Sequence, residues 1–378
     1  MRTSVTLVAS GADANSAVGG RIGAFASGLT RRGWDVTIID PPLPPTALLD
    51  RLLTRAPAVL RSALEDAGVE GDVQPGAGWG ARHALRSVVG DVAVVSVPPF
   101  SLLWAAAVTL DPRVPLVVDY RDPWSARHHP PLLTRATRPI ERYALRRAAA
   151  VTYAGGSALG DLLVQHLQIT PNRVISIPNG SDPADVEGLP EVPLRPERNG
   201  QPLDLVMNGY WYGRNGPGIL LHALQRVGPA VAKLTVIGGV SPPIAAQLRS
   251  ATGQALVPHT AGSRRELYER LHQADAALVT TDNASATESR IPAKIYDYLA
   301  TGVPVIAVCP PGAALLQIPE AQRVHHVHHK DVNGLATLLR STMRDRTVLR
   351  PGILRAGPTR EQGVATLHTL LHRLVQQP

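Results

Sequence analysis

The chain has a single cysteine, Cys309, so no intramolecular disulfide can form. A disulfide-stapled secreted scaffold is thereby excluded, and a lone thiol fits a reducing compartment. Lysine is almost absent: Lys233, Lys294 and Lys330 are the only three among 38 basic residues, so the net charge of +8 rests on arginine. Aromatic residues make up 4% of the sequence, and no basic stretch is interleaved with them. That argues against a nucleic-acid-binding surface. An uninterrupted apolar run of about 18–20 residues, the length of a membrane span, is also missing. The best candidate, residues 94–110, is broken by Pro98 and Pro99 with Asp91 just upstream, and it reads as a buried strand followed by a helix. No long apolar segment follows Met1, so no signal peptide is expected. The expected location is the cytoplasm, with the inner face of the membrane as the alternative placing.

What is present points to two α/β domains. With 378 residues, 44% of them hydrophobic, and a mean hydropathy of zero, the chain exceeds one comfortable core and has too much apolar content for disorder. SVTLVA (residues 4–9) is a β-rich run, and a loop ending in Gly19-Gly20 follows it. An amphipathic helix over 21–32, closed by Gly33, then leads to a second apolar run at 34–39. This is a βαβ unit, the repeating piece of a parallel sheet. DVAVVSV (91–97) and PLVVD (115–119) have the continuous apolar character of strands covered on both faces. Helices are expected at 101–110, 140–149 and 161–168, with a further strand at 174–177. Residues 182–202 are rich in proline, glycine and charge without a sustained period, a linker signature. Beyond it the alternation restarts, with strands at 203–207, 233–237, 255–257, 276–280 and 303–308. Helices are expected there at 219–227, 264–273 and 293–301, and a last amphipathic helix at 360–376.

The expected organisation is therefore an N-terminal domain over 1–185, a linker over 186–202, and a C-terminal domain over 203–355. A closing segment over 356–378 returns to the N-terminal domain. Both domains are Rossmann-like, doubly wound and α/β, and they face a cleft that is the natural site.

Several segments carry chemistry. Gly19-Gly20, between a strand and a helix, can let a phosphate approach backbone N–H groups or can simply turn the chain. The stretch SRIPAKIYDYLATGVPVIAV (289–308) reads as a loop, a proline near a helix start, a helix broken at Gly302 and a buried strand. Amides at the start of that helix can face a diphosphate, and Lys294 and Asp297, three apart, share a helix face. One cation for phosphate and one carboxylate for a ribose hydroxyl pair fit that spacing; a surface ion pair is the plainer reading. Arg121 and Asp122 follow a buried strand at its carboxyl end, where α/β sites congregate. Asp122 either orients an acceptor or sugar or pairs with Arg121. His325-His326 and His328-His329 straddle both faces of a short extended segment, without Glu or Cys at ligand spacing, and read as a solvated edge. Arg138, Arg142 and Arg146 recur on one helical face, which is either solvated or a peripheral contact with an anionic membrane or acceptor.

The 289–308 stretch resembles the signature of retaining GT-B glycosyltransferases of family 4. In that signature two glutamates separated by seven residues precede a small residue, Gly, x, Pro, Val. Aligned on Pro292, the second glutamate falls on Asp297 and the first on Ser289, with Glu288 one residue early. The form with Pro-Ala-Lys before an aromatic and DYLATGVPV is similar to the subgroup that makes bacterial surface sugars. GGRIGAFASGLTRRGWDVTII (19–39), SVPPFSLLWAAAV (96–108), VVDYRDPW (117–124) and ISIPNGSD (175–182) resemble other family elements in the same order, spanning nearly the whole chain. The Gly-Arg…Lys-Gly segment of the family corresponds to GYWYGRNG (209–216), where Tyr210 replaces the arginine and Asn215 the lysine, with Arg214 adjacent as a substitute.

The resemblance implies a nucleotide-diphosphate sugar as donor, UDP-linked by the subgroup, and an acceptor hydroxyl on a small molecule, lipid-linked sugar or glycan. Retention of anomeric configuration follows from the same likeness, and no bound metal or cofactor is expected, since no short Asp-x-Asp loop of the metal-using kind stands out. Charge on the departing diphosphate is then met by fixed cations and helix amides instead of a divalent ion. The residues implicated in catalysis are Arg121, Asp122, Arg214 and Lys294. Those implicated in donor binding are Gly19, Gly20, Gly209, Glu288, Ser289, Pro292 and Asp297. A nucleotide-sugar 2-epimerase and a non-catalytic sugar-nucleotide-binding subunit are the alternatives on the same architecture.

Overall fold

The structure, a computed structural model, describes residues 3–11, 17–41, 81–83, 85–86, 88, 90–125, 131–191, 195–211, 218–240, 245–247, 258–259, 263–281, 289–350, 353 and 355–376. The chain divides into two compact units: residues 1–179 with 360–378, and residues 180–359. Each is an α/β domain of the doubly wound, Rossmann-like kind, with a six-stranded parallel sheet.

In the first unit the strands are β1 (Ser4–Val8), β2 (Asp35–Ile39), β3 (Val92–Val97), β4 (Leu116–Tyr120), β5 (Ala148–Tyr153) and β6 (Val174–Ser176), in the order β2-β1-β3-β4-β5-β6. Every residue of β3 is buried, and alternate residues serve opposite faces of the sheet. Ala93, Val95 and Val97 pack with Leu102 and Leu103 of α2 (Ser101–Thr109), while Val92 and Val94 join Leu7, Ile22 and Leu29. That second face is closed by the last helix (Arg360–Gln376) through Val364, Leu367, Leu370 and Leu371. A β-carbon on Gly28 would lie 2.5 Å from the Val364 side chain, so a glycine lets the two helices touch.

In the second unit the strands are β7 (Leu203–Trp211), β8 (Ala232–Val240), β9 (Pro258–His259), β10 (Ala276–Thr280), β11 (Val305–Cys309) and β12 (Val324–His328), in the order β12-β11-β10-β7-β8-β9. The order reverses between β7 and β10, the place where open α/β sheets bind ligands. Alternation again fills two cores: Ala276 and Leu278 pack on one face, Ala277 and Val279 on the other.

Four differences from the sequence reading have physical causes. Helix α1 (Ala17–Arg31) starts before Gly19, so the glycine pair lies in its first turns and not in a preceding loop. A β-carbon on Gly20 would meet Arg360 Nη2 at 2.9 Å, which is why a poor helix former sits there. Helix α3 (Pro131–Arg146) runs through Pro139, where a sequence reading stops, and begins on Pro131, a residue tolerated at a helix start. The helix Val332–Arg344 was not anticipated; Asp331 caps it by accepting from the Gly334 amide at 2.7 Å. Residues 182–191, expected to open a linker, contain a 3₁₀ turn (Pro183–Val186), and Val186 and Leu189 are buried against Tyr268 and Ala300. The strand expected at 255–257 lies outside the described residues.

Candidate functional site

At the carboxyl end of the central strand β7, Gly209 pairs with Gly238 of β8, and both hold positive φ, +102° and +118°. A β-carbon on Gly238 would come within 3.0 Å of the Gly209 carbonyl carbon, so these strand ends approach as only glycines allow. Residues 289–293 lead from β10 side of the sheet into the helix Lys294–Thr301, closed by Gly302 in the left-handed conformation. Its first residue lies against the strand end: a β-carbon on Gly209 would sit 3.4 Å from Lys294 Nζ. Lys294 makes no hydrogen bond or ion pair among the described residues, and burial lowers it to about 8 against the pull of Asp297. A desolvated ammonium without an acceptor is a ready place for an anion.

One turn on, Asp297 is buried, and its two oxygens are treated differently. Oδ1 accepts from Arg264 Nη2 at 2.7 Å and from the Tyr268 hydroxyl at 2.8 Å. Among the described residues Oδ2 has only Asn208 Nδ2, at 3.4 Å. Arg264 and Tyr268 stand on the helix Arg264–Gln273, whose start is capped by Ser263 accepting from the Glu266 amide at 3.1 Å. Beneath the site the fully buried Tyr298 hydroxyl accepts from the Asn208 amide at 2.8 Å and donates to the Leu278 carbonyl at 3.2 Å. It thereby ties β7, β10 and the site helix together.

Of the residues singled out in the sequence, Lys294, Asp297 and Gly209 converge on this strand end. Ser289 is buried and Pro292 partly exposed just ahead of the helix. The amides of Ile295 and Tyr296 bond to the carbonyls of Pro292 and Ala293, so these two are turned back on the chain. Arg214 and Glu288 lie outside the described residues. Sequence reasoning missed Arg264 and Tyr268; the capping pattern Ser263…Glu266 marked their helix, but nothing local marked their aim.

Gly19, Gly20, Arg121 and Asp122 belong to the first unit. There the buried centre is Asp119, with Ser96 and Thr152 as its register partners on β3 and β5. Both neighbours donate to it, Ser96 Oγ at 2.9 Å and Thr152 Oγ1 at 2.7 Å. Arg21 closes the set through Nε at 3.0 Å and Nη2 at 2.7 Å, and its Nη1 donates to Asn179 Oδ1 at 3.3 Å. Burial opposes the charge on Asp119, yet Arg21 and the two hydroxyls outweigh it and hold the carboxyl below its ordinary value. An aspartate ending an otherwise apolar strand, VVD, was the available signal. Arg121 follows with its Nη2 bonded to the Pro98 carbonyl and its Nε buried without a hydrogen-bond partner among the described residues. Burial lowers its pKa, while Asp122 and Asp119 favour its charge.

The arginine stripe is partly committed to the chain itself: Arg138 donates to the His166 carbonyl at 2.8 Å, Arg142 bonds Gln168, and Arg146 is exposed. The histidines behave as the edge of a sheet, His326 meeting the Cys309 carbonyl at 2.9 Å and His325 accepting from the Arg350 amide at 3.0 Å. Among the described residues no helix is long and apolar enough to cross a membrane.

Known structures share this fold. A glycosyltransferase from Rickettsia africae superimposes with a TM-score of 0.62 at 12% identity, covering all of both chains. Sucrose-phosphate synthase from Thermosynechococcus elongatus gives 0.61 at 15%, covering 100% of this chain and 97% of that one. The Anabaena protein HepE, in complex with UDP, gives 0.56 at 14%, covering 99% and 98%. At these identities the likeness is one of fold, two Rossmann-like units as in GT-B glycosyltransferases. No curated protein matches the sequence. The family model that does match, over residues 19–185, is that of Glycosyltransferase Family 4.

Proposed function

We propose that this chain is a family 4 glycosyltransferase that moves a sugar from a nucleotide-diphosphate donor, UDP-linked, to an acceptor hydroxyl with retention and without a resident metal. The observation that carries the reading is Lys294: a desolvated ammonium, unpartnered among the described residues, one helical turn from a carboxylate at the point where the sheet order reverses. Cleavage of a glycosyl–phosphate bond leaves negative charge on the departing diphosphate, and a preorganised cation lowers that barrier by several kcal/mol. Lys294 takes this role, with Arg214 as its companion cation. Asp297 accepts from the ribose hydroxyls, Gly209 lets the ligand approach the backbone, and Glu288, Ser289 and Pro292 border the donor. In the first unit Arg121 and Asp122 contact the acceptor or the transferred sugar. The match of residues 19–185 to the family supports the same assignment.

The test is a thermal-shift screen against UDP, GDP, dTDP and ADP, followed by incubation of the matching nucleotide sugars in EDTA. Stabilisation by UDP and EDTA-resistant release of UDP with a glycosylated acceptor are expected. An isomerised sugar would point to an epimerase, and binding without turnover to an auxiliary subunit; either result overturns the proposal.

A further inference from the structure

Behind Asp297 stand three groups with no part in the donor contacts above: Arg264, Tyr268 and Asp185. Arg264 is held at both ends. Its Nε donates to Asp185 Oδ2 at 2.8 Å, and its Nη2 donates to Asp297 Oδ1 at 2.7 Å and to the Tyr268 hydroxyl at 2.8 Å. Asp185 lies in the turn Pro183–Val186, fixed in turn by Asp182, whose side chain accepts from the Ala184 amide at 3.1 Å. Val186, Leu189, Tyr268 and Ala300 form a small buried cluster under this strut. Turn, helix and site helix thus form one braced piece within the second unit. The same turn opens the unit, since residue 180 is its first.

For Asp297 the result, among the described residues, is a carboxylate with one oxygen saturated and the other nearly vacant. A free aspartate can rotate about χ2 to offer either oxygen, and each bond a ligand gains is offset by the ordering of that rotor. Here two donors fix Oδ1, one of them the charged Arg264 Nη2. Oδ2 is left beside Asn208, the residue preceding Gly209, on the strand end that Lys294 covers.

We propose that Arg264, with Tyr268 and Asp185, is a positioning residue that presents Asp297 Oδ2 to the ribose hydroxyls of the donor nucleotide, an inference that rests on the donor-site reading above. Arg264 touches no reacting atom in this assignment. Its contribution is to ribose recognition and not to the diphosphate, which belongs to Lys294.

The test compares UDP, GDP and ADP with their 2′-deoxy counterparts, by calorimetry, on the wild-type chain and on Arg264→Gln, Tyr268→Phe and Asp185→Asn. The wild type is expected to prefer the ribose form, and Arg264→Gln to reduce that preference by about tenfold, the effect of one charge-assisted hydrogen bond. Affinity for the deoxy form is expected to stay within about twofold, because the lost contact is one it never makes. Tyr268→Phe keeps the ring in its cluster and moves the preference the same way by less, so it carries the test where Arg264→Gln fails to fold. Equal weakening of both forms, or an unchanged preference, means a merely structural brace and overturns the inference while leaving the donor site standing. Absence of binding by any of the nucleotides to the wild type overturns both.

Discussion

Lys294 Nζ lies beside Gly209: a β-carbon there would be 3.4 Å from the ammonium. The contact joins the end of the central strand to the first residue of the site helix. It also leaves the strand end in a left-handed conformation, φ +102°, which side chains other than glycine adopt at a cost of about 1–3 kcal/mol.

Gly209→Ala is therefore expected to lower the melting temperature and, in the same protein, to reduce stabilisation by nucleoside diphosphate. The methyl group would sit 3.4 Å from the ammonium, on the strand end that the diphosphate is proposed to approach. Melting curves with and without UDP test this. An unchanged ligand shift in a destabilised variant would mean that Gly209 serves the turn alone.

Lys294 carries a cost that the ligand relieves. Burial brings it from 10.5 to about 8, so between those values the unfolded chain holds a proton that the folded chain has released. Stability without ligand therefore rises with pH across that window, and the penalty is fully present below pH 8. Lys294→Met should raise stability at pH 7 by roughly 1–3 kcal/mol while abolishing the nucleotide shift, the trade usual at functional sites. Wild-type affinity for UDP should be flat below pH 8 and weaken as pH rises past it, because the diphosphate selects the protonated amine. Affinity independent of pH between 7 and 9.5 would exclude Lys294 as the phosphate cation.

The strands were legible because burial on both faces leaves continuous apolar runs, as in DVAVVSV and PLVVD. The helix Arg360–Gln376 was legible from its period, and its packing on α1 depends on Gly28. Lys294 and Asp297 were visible because three-residue spacing places both on one helical face. The groups that orient them were not. Arg264 is 33 residues from Asp297, and Arg21 is 98 from Asp119, so each pair exists only after the sheet is assembled. Gly20 is explained only by the assembled fold for a related reason: its need for glycine comes from Arg360. No local pattern records that long-range contact.

Tyr298 is buried and has a hydrogen bond in each direction, accepting from the Asn208 amide and donating to the Leu278 carbonyl. Tyr298→Phe removes one oxygen and strands the amide in the core, for which the expected loss is about 1–3 kcal/mol. Asn208 neighbours both Gly209 and Asp297 Oδ2, so nucleotide affinity should fall in parallel with stability. Urea denaturation and calorimetry on the one variant check both effects. A full loss of stability with intact affinity would show that the strand end keeps its place without this tie.

Arg21 and Asp119 make the most deeply buried ion pair described, with side chains 4% and 0% exposed. Removing either partner leaves a charge in the core, so Arg21→Met and Asp119→Leu should each destabilise by about 3–5 kcal/mol. The double variant is expected to recover part of that loss, since two apolar groups need no compensation. For pH the sign follows from the lowered carboxyl of Asp119. Its contribution is fully present above the unfolded value near 3.8 and is lost as pH falls through the still lower folded value. Acid unfolding of Asp119→Leu should accordingly be shallower below pH 4 than that of the wild type. Ser96 and Thr152 also donate to the carboxylate, and Asp119→Asn would keep the shape while losing the charge. If Asp119→Asn proved as stable as the wild type at pH 7, the hydroxyl row and not the ion pair would be what holds the carboxyl ends of β3, β4 and β5 together.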